Sequence, residues 1–148
     1  MATASRKQDP GVAGILGGSR VFDRGRTGAA ALQKAVRSGL PYRAFESLGE
    51  ALELRTTELA ELVGVAPRTL TRRRGGTLTS IESDRLYGIA HVASLAAEAL
   101  GSLDRARDWL RRANRALAGQ PPIRCLDTEI GRRQVEDLLQ RINYGTYS

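Results

Sequence analysis

The sequence is poor in the residues that make catalytic and metal sites. Among 148 residues there is one cysteine, Cys125, and one histidine, His91. A lone thiol closes no intrachain disulfide and suits a reducing compartment. One thiol and one imidazole fall short of the roughly four ligands of a tetrahedral zinc shell. No metal and no cofactor are expected. A Cys125–His91 nucleophile pair also lacks support, because His91 lies within a helical pattern and Cys125 between Arg124 and Leu126 in a loop, with no oxyanion device beside them. Apolar runs stay well under the ~18 residues of a membrane span, and the first residues carry no hydrophobic signal core. A cytoplasmic protein without a membrane partner is therefore expected. The carboxylates are scattered along amphipathic segments, where a solvated face or an i,i+4 partner for arginine accounts for them. This does not read as an enzyme.

Sustained period-two alternation is missing too, as is any internal repeat. The fold class expected is all-α. Residues 1–26 read as a flexible N-terminal arm: a small, polar start ends at Pro10, and glycine follows at 11, 14, 17, 18 and 25, with another at 28. No Gly-Lys-Ser/Thr follows and no strand precedes, so a phosphate-cradling loop lacks its chemistry.

Positive charge is present in excess. Lys+Arg of 23 against Asp+Glu of 16 leave a net +7, which favours nucleic acid or an acidic protein surface as partner. The arginines cluster in TELAELVGVAPRTLTRRR, residues 57–74, which has helix-turn-helix spacing. Ala60 permits close helix approach, Gly64 accepts a left-handed turn, and Val65 and Leu70 anchor the second helix. Pro67 suits that helix's first turn. The remaining positions are Arg68, Thr69, Thr71, Arg72, Arg73 and Arg74, which with Thr57 form the candidate DNA-binding set. An ordinary helical hairpin with a solvated basic face has the same pattern. Glu58 and Glu61 nearby would limit non-specific binding.

The other helices follow from caps and periodicity. Thr27 caps one with Ala31, Leu32, Ala35 and Val36 on its apolar side, ending near Gly39. Pro41 opens another, with Phe45, Leu48, Ala51 and Leu52. Gly75 and Gly76 close the hairpin. Thr79 or Ser80 starts a long, central helix with the stripe Ile81, Leu86, Ile89, Ala93, Ala96 and Leu100. Ser102 caps the next, whose face runs from Leu103 through Ala106, Trp109, Leu110 and Ala113 to Leu117, opposite Arg107, Arg111 and Arg115. A last helix from Asp127 or Thr128 turns Ile130, Val135, Leu138, Leu139 and Ile142 inward. Within it Gly131, unfavourable in a helix by about 1 kcal/mol, points to close approach of another backbone. The organisation expected is an arm at 1–26, a DNA-binding unit at 27–76 and a helical half at 77–148.

The chain finishes as Asn143, Tyr144, Gly145, Thr146, Tyr147 and Ser148, leaving the last helix after Ile142. Two of the four tyrosines sit in this short stretch. Tyrosine is a low-entropy interface anchor, so the tail is a candidate contact surface; a tail packed back on its own domain is the alternative.

The segment LDTEIGRRQVEDLLQRINYGTYS resembles the C-terminal toxin-binding domain of the Xre/MbcA/ParS-like antitoxins. Leu126, Asp127, Thr128, Gly131, Val135, Leu138, Leu139, Ile142 and Gly145 carry the likeness. The hairpin at 57–74 is similar to the Xre-like helix-turn-helix found upstream in that family. The resemblance implies an antitoxin of a type II system whose cognate partner is a RES-type, NAD-consuming toxin. It implies neutralisation by the C-terminal segment, residues 121–148, covering the toxin's active site. On the residues themselves, Arg132 and Arg141 are expected to steer an acidic toxin surface, and the tail Asn143–Ser148 to block the toxin's pocket, as toxin-binding residues. The resemblance also implies repression of its own operon at an operator DNA. A homodimer is expected, because the recognition unit is short and specific sites usually recruit two copies related by a twofold. A stand-alone regulator with a dimerisation or sensing domain is the competing reading. One departure stands out: Arg73 occupies a position that is often apolar in such hairpins.

Overall fold

The computed structural model describes residues 11–23 and 28–145. The expectations for residues 1–10, for the Thr27 cap and for Thr146, Tyr147 and Ser148 lie outside the described residues.

The architecture is helical, as the patterning indicates, and no strand occurs among the described residues. In chain order the helices are α1 (Gly11–Ile15), α2 (Ala29–Ser38), α3 (Tyr42–Leu52), α4 (Thr56–Val63), α5 (Pro67–Arg73), α6 (Ser80–Leu100), α7 (Leu103–Arg111) and α8 (Glu129–Tyr144). Short 3-10 turns occupy Gly18–Arg20, Arg115–Leu117 and Pro122–Cys125.

Helix α6 is the axle. Ser83, Leu86, Ile89, Ala90, Val92, Ala93, Ala96 and Ala97 are all buried, far more than one amphipathic stripe. Alanine makes this possible, because its small side chain lets neighbouring backbones come close on several sides at once. Helices α1, α2, α3, α4, α7 and α8 all pack on it. The reciprocal box at its start is complete: the Thr79 hydroxyl accepts from the Glu82 N–H, and the Glu82 carboxylate accepts from the Thr79 N–H at 2.9 Å. Ser83, one residue beyond that box, lies in the core and accepts a hydrogen bond from the Leu40 N–H at 2.8 Å.

Two expectations about the core need correction. The glycine-rich stretch is not an arm over its described part, since Ile15, Leu16 and Phe22 are buried. Its apolar side chains gain more from burial than its glycines lose in chain entropy. The helix at 103–117 stops at Arg111: Arg112 is extended, and the Asn114 side chain caps a separate 3-10 turn by accepting from the Ala116 N–H. Ala113 is exposed as a result.

The hairpin and its neighbours are stitched by main-chain bonds. Leu78 N–H donates to Leu40 O at 2.8 Å and Tyr42 N–H to Gly76 O at 3.0 Å, which fastens the exit of α5 to the entry of α3. On the polar face of α7, Arg107 donates to Ala51 O at 3.2 and 3.0 Å, and Arg111 donates to Leu52 O and Glu53 O. These guanidinium groups take up the orphan carbonyls at the C-terminus of α3 and hold α7 against it. The hydrophobic core is one cluster running through both halves of the chain.

Candidate DNA and partner-binding faces

Helices α4 and α5 form the expected hairpin. Leu59, Ala60, Val63, Val65 and Leu70 are buried, and Gly64 takes the left-handed conformation (φ 81°) between the helices. A side chain at Gly64 would be strained there and would meet the guanidinium of Arg85 at 2.7 Å. That arginine donates to Val63 O at 3.2 Å, so α6 itself caps the end of α4.

Arg68, Thr71, Arg72 and Arg74 are exposed along α5 and its exit, and Thr57 is exposed on the first turn of α4. Thr57, Thr71 and Arg74 line one shallow cleft between the two helices, together with Thr56 and Pro67. The Thr71 hydroxyl donates back to Pro67 O at 3.0 Å. Thr69 is half-buried and accepts from Arg72 at 3.5 Å.

Arg73 behaves differently. Its Nε reaches Glu82 Oε1 at 3.2 Å and its second nitrogen reaches Oε2 at 3.4 Å, a two-point pair with only 29% and 13% of the side chains exposed. Arg73 was expected in the DNA-binding set, but its charge is directed into the protein. The apolar anchor missing from this position is replaced by an ion pair. Burial pushes the Glu82 carboxyl up, but the hydrogen bonds from Arg73 and from the Thr79 N–H outweigh it and leave it below its usual 4.5. Its contribution to stability is therefore present above that value and lost as pH falls through the lowered one.

The C-terminal helix begins where the sequence places it. The Thr128 hydroxyl accepts from the Gly131 N–H at 2.9 Å. A Cβ on Gly131 would stand 1.9 Å from Cys125 O, so the close backbone approach is real. Val135 and Leu139 are buried, and Leu138 and Ile142 half-buried. Ile130 is not inward: it is 75% exposed, because the first turn of α8 extends past the Pro122–Cys125 turn that covers Gly131. Ile81 is likewise exposed at the first turn of α6. The helix continues two residues beyond Ile142, placing Asn143 and Tyr144 in its last turn, with Gly145 as a left-handed cap (φ 66°). Tyr144 is 75% exposed.

Of the candidate contact arginines, Arg132 is turned inward: it donates to Leu126 O at 3.0 Å and lies against Gly88 of α6. It tethers α8 and its steering role is corrected accordingly. Arg141 is exposed near the end of the helix. His91 bonds Glu136 at 3.2 Å and stacks on Tyr87, while Cys125 faces Gln120. Burial, with Asp127 adding negative charge, pushes the Cys125 thiol above its usual value. Neither residue is poised as a nucleophile, and no group of three or more potential metal ligands occurs among the described residues.

Two family models match this arrangement: the antitoxin Xre-like helix-turn-helix domain over residues 31–91 and the antitoxin Xre/MbcA/ParS C-terminal toxin-binding domain over 95–145. The chain belongs to the Xre/MbcA/ParS antitoxin family. An Antitoxin Xre of Pseudomonas putida is 38% identical over 80 residues, which are 53% of this chain and 50% of that protein. The chain thus matches about half the length of that relative. An Antitoxin Xre of Yersinia enterocolitica is 28% identical over 79% of this chain and 81% of its own length. The fold is also similar to a chain in the crystal structure of the M. tuberculosis MbcT–MbcA toxin–antitoxin complex, with a TM-score of 0.54 and 23% identity over 80% of this chain and 96% of that one. Within the family's C-terminal domain, sequence reasoning missed the inward turn of Arg132. Its signal was Gly88, the small residue opposite it.

Proposed function

We propose that this chain is an antitoxin that neutralises a RES-type, NAD-consuming toxin by covering its active site, and that it represses its own operon through α5. The observation that carries the reading is the outer end of α8. A helix whose inner face is fixed to α6 presents Tyr144, 75% exposed, at the point where the chain emerges through Gly145. A flat ring with a polar tip suits a nucleotide pocket. Added to a purified RES-type toxin encoded beside it, the protein should stop NAD consumption in proportion to the amount added. Undiminished NAD loss at saturating antitoxin refutes the assignment.

For DNA, Arg68 and Arg72 lie on the exposed face of α5, in reach of base edges in a major groove, with Arg74 beside the cleft for phosphate. Each bidentate base contact contributes about 1–3 kcal/mol of discrimination. In gel-shift titrations Arg72→Ala should lose operator preference, and Arg74→Ala should weaken all DNA evenly with a flatter salt slope. An Arg68/Arg72 double variant with unchanged operator affinity overturns this. Such sites recruit two copies related by a twofold. The alanine stripe of α6 cannot join them, because Ala90, Ala93, Ala96 and Ala97 are consumed by intrachain packing. Helix α2 is the better surface: none of its residues is fully buried, and Ala29, Leu32 and Val36 line a groove with Tyr87.

A further inference from the structure

We propose that Glu82 determines how strongly the recognition helix prefers its operator over other DNA, by withholding Arg73 from the phosphates. The inference rests on the DNA-binding reading of α5. Three consecutive arginines, Arg72, Arg73 and Arg74, close that helix, and among the described residues only the middle one is held by a carboxylate. Arg72 and Arg74 are exposed, whereas Arg73 lies with 29% of its side chain accessible against a carboxylate at 13%.

The same oxygen that accepts from Arg73 Nε, Oε1, also accepts from the Thr79 N–H at 2.9 Å, within the cap of α6. Glu82 therefore cannot follow Arg73 outward without opening the first turn of a 21-residue helix on which the whole fold packs. The pair has two effects. It aims α5 relative to α6 by a two-point, directional contact in place of an apolar one, and it removes one cation from the DNA-facing surface. Phosphate contacts add affinity without sequence information, so holding one back raises the ratio of specific to non-specific binding.

Glu82→Gln tests this role: the amide oxygen in the place of Oε1 still accepts from the Thr79 N–H, so the cap survives, while the NH2 in the place of Oε2 cannot accept from Arg73 and the ionic attraction is lost. Each added phosphate contact steepens the salt slope by about 0.9, or roughly threefold in affinity between 50 and 200 mM salt. With Arg73 released, E82Q should bind random duplex about threefold more tightly at low salt, with a slope steeper by close to one, and show a reduced operator preference. The double variant R73Q/E82Q should return to the wild-type slope. R73L alone should keep that slope, unlike Arg74→Ala. A wild-type slope in E82Q, or a slope flattened by R73L as much as by Arg74→Ala, overturns the proposal. R73L still decides the matter if E82Q folds poorly, and circular dichroism melts record whether it does. Failure of the wild type to bind any duplex would show itself in the first titration and would remove the DNA reading itself, separately from the role of Glu82.

Discussion

Gly131→Ala is expected to lower the melting temperature by about 6–12 °C, from an overpacking cost of about 3 kcal/mol in a chain of this size. The new Cβ would lie 1.9 Å from Cys125 O, 2.9 Å from its carbonyl carbon and 3.0 Å from the Thr128 hydroxyl. The first two are backbone atoms of the Pro122–Cys125 turn, so relief requires moving that turn or the start of α8. Neither moves freely. Leu126, next to the turn, is fully buried, and Thr128 caps the helix. The gain in helix propensity from glycine to alanine, about 1 kcal/mol, is too small to offset this. Gly88→Ala is the informative control. The atoms nearest its Cβ would all belong to the Arg132 side chain, with Nε at 2.8 Å, and a long side chain can swing aside. Near-neutral stability is expected there, with the Arg132–Leu126 bond as the casualty. Thermal melts followed by circular dichroism compare the two variants. Equal melting temperatures for wild type and Gly131→Ala would mean that the turn does not press on the helix.

What was legible in the sequence follows from which interactions are local. Caps and turns involve neighbours in the chain, so Thr79, Ser102 and Thr128 mark helix starts, and Gly39 and Gly64 mark ends, within a residue or two of where the structure has them. The hairpin at 57–74 was legible for the same reason, with its short turn and its own internal apolar contacts. Side-chain direction was harder. Ile81 and Ile130 fit a helical stripe by spacing, yet both lie in first turns that project beyond the elements packed on them. Arg73 and Arg132 were read as surface charge because their partners, Glu82 and Leu126 O, are supplied by tertiary packing. The arm was misread over Gly11–Phe22 because glycine content outweighed three apolar residues whose docking surface lies on α6 and α3, remote in sequence.

Truncation after Ile142 is expected to uncouple toxin inhibition from DNA binding, weakening inhibition about 100-fold, the scale of losing a central aromatic anchor at an interface. The body of α8 does not depend on the segment removed. Val135 and Leu139 are buried upstream, Arg132 ties the helix to Leu126 O, and Glu136 bonds His91 on α6. No hydrogen bond among the described residues joins the hairpin to residues 143–145. The shortened protein should therefore melt near the wild-type temperature and shift operator DNA at the wild-type concentration. Tyr144→Ala should reproduce much of the defect in inhibition, because Tyr144 is the large side chain that the end of the helix leaves uncovered. An exposed Ile130 at the opposite end of the same helix offers a second apolar contact, so residual docking without inhibition is the expected behaviour of the truncated chain. The decisive measurement is NAD consumption by the toxin, titrated with full-length and truncated antitoxin in parallel. If both halt it at equal concentrations, closure of the active site by the tail is wrong, and neutralisation must come from the helical body or from the assembly it forms.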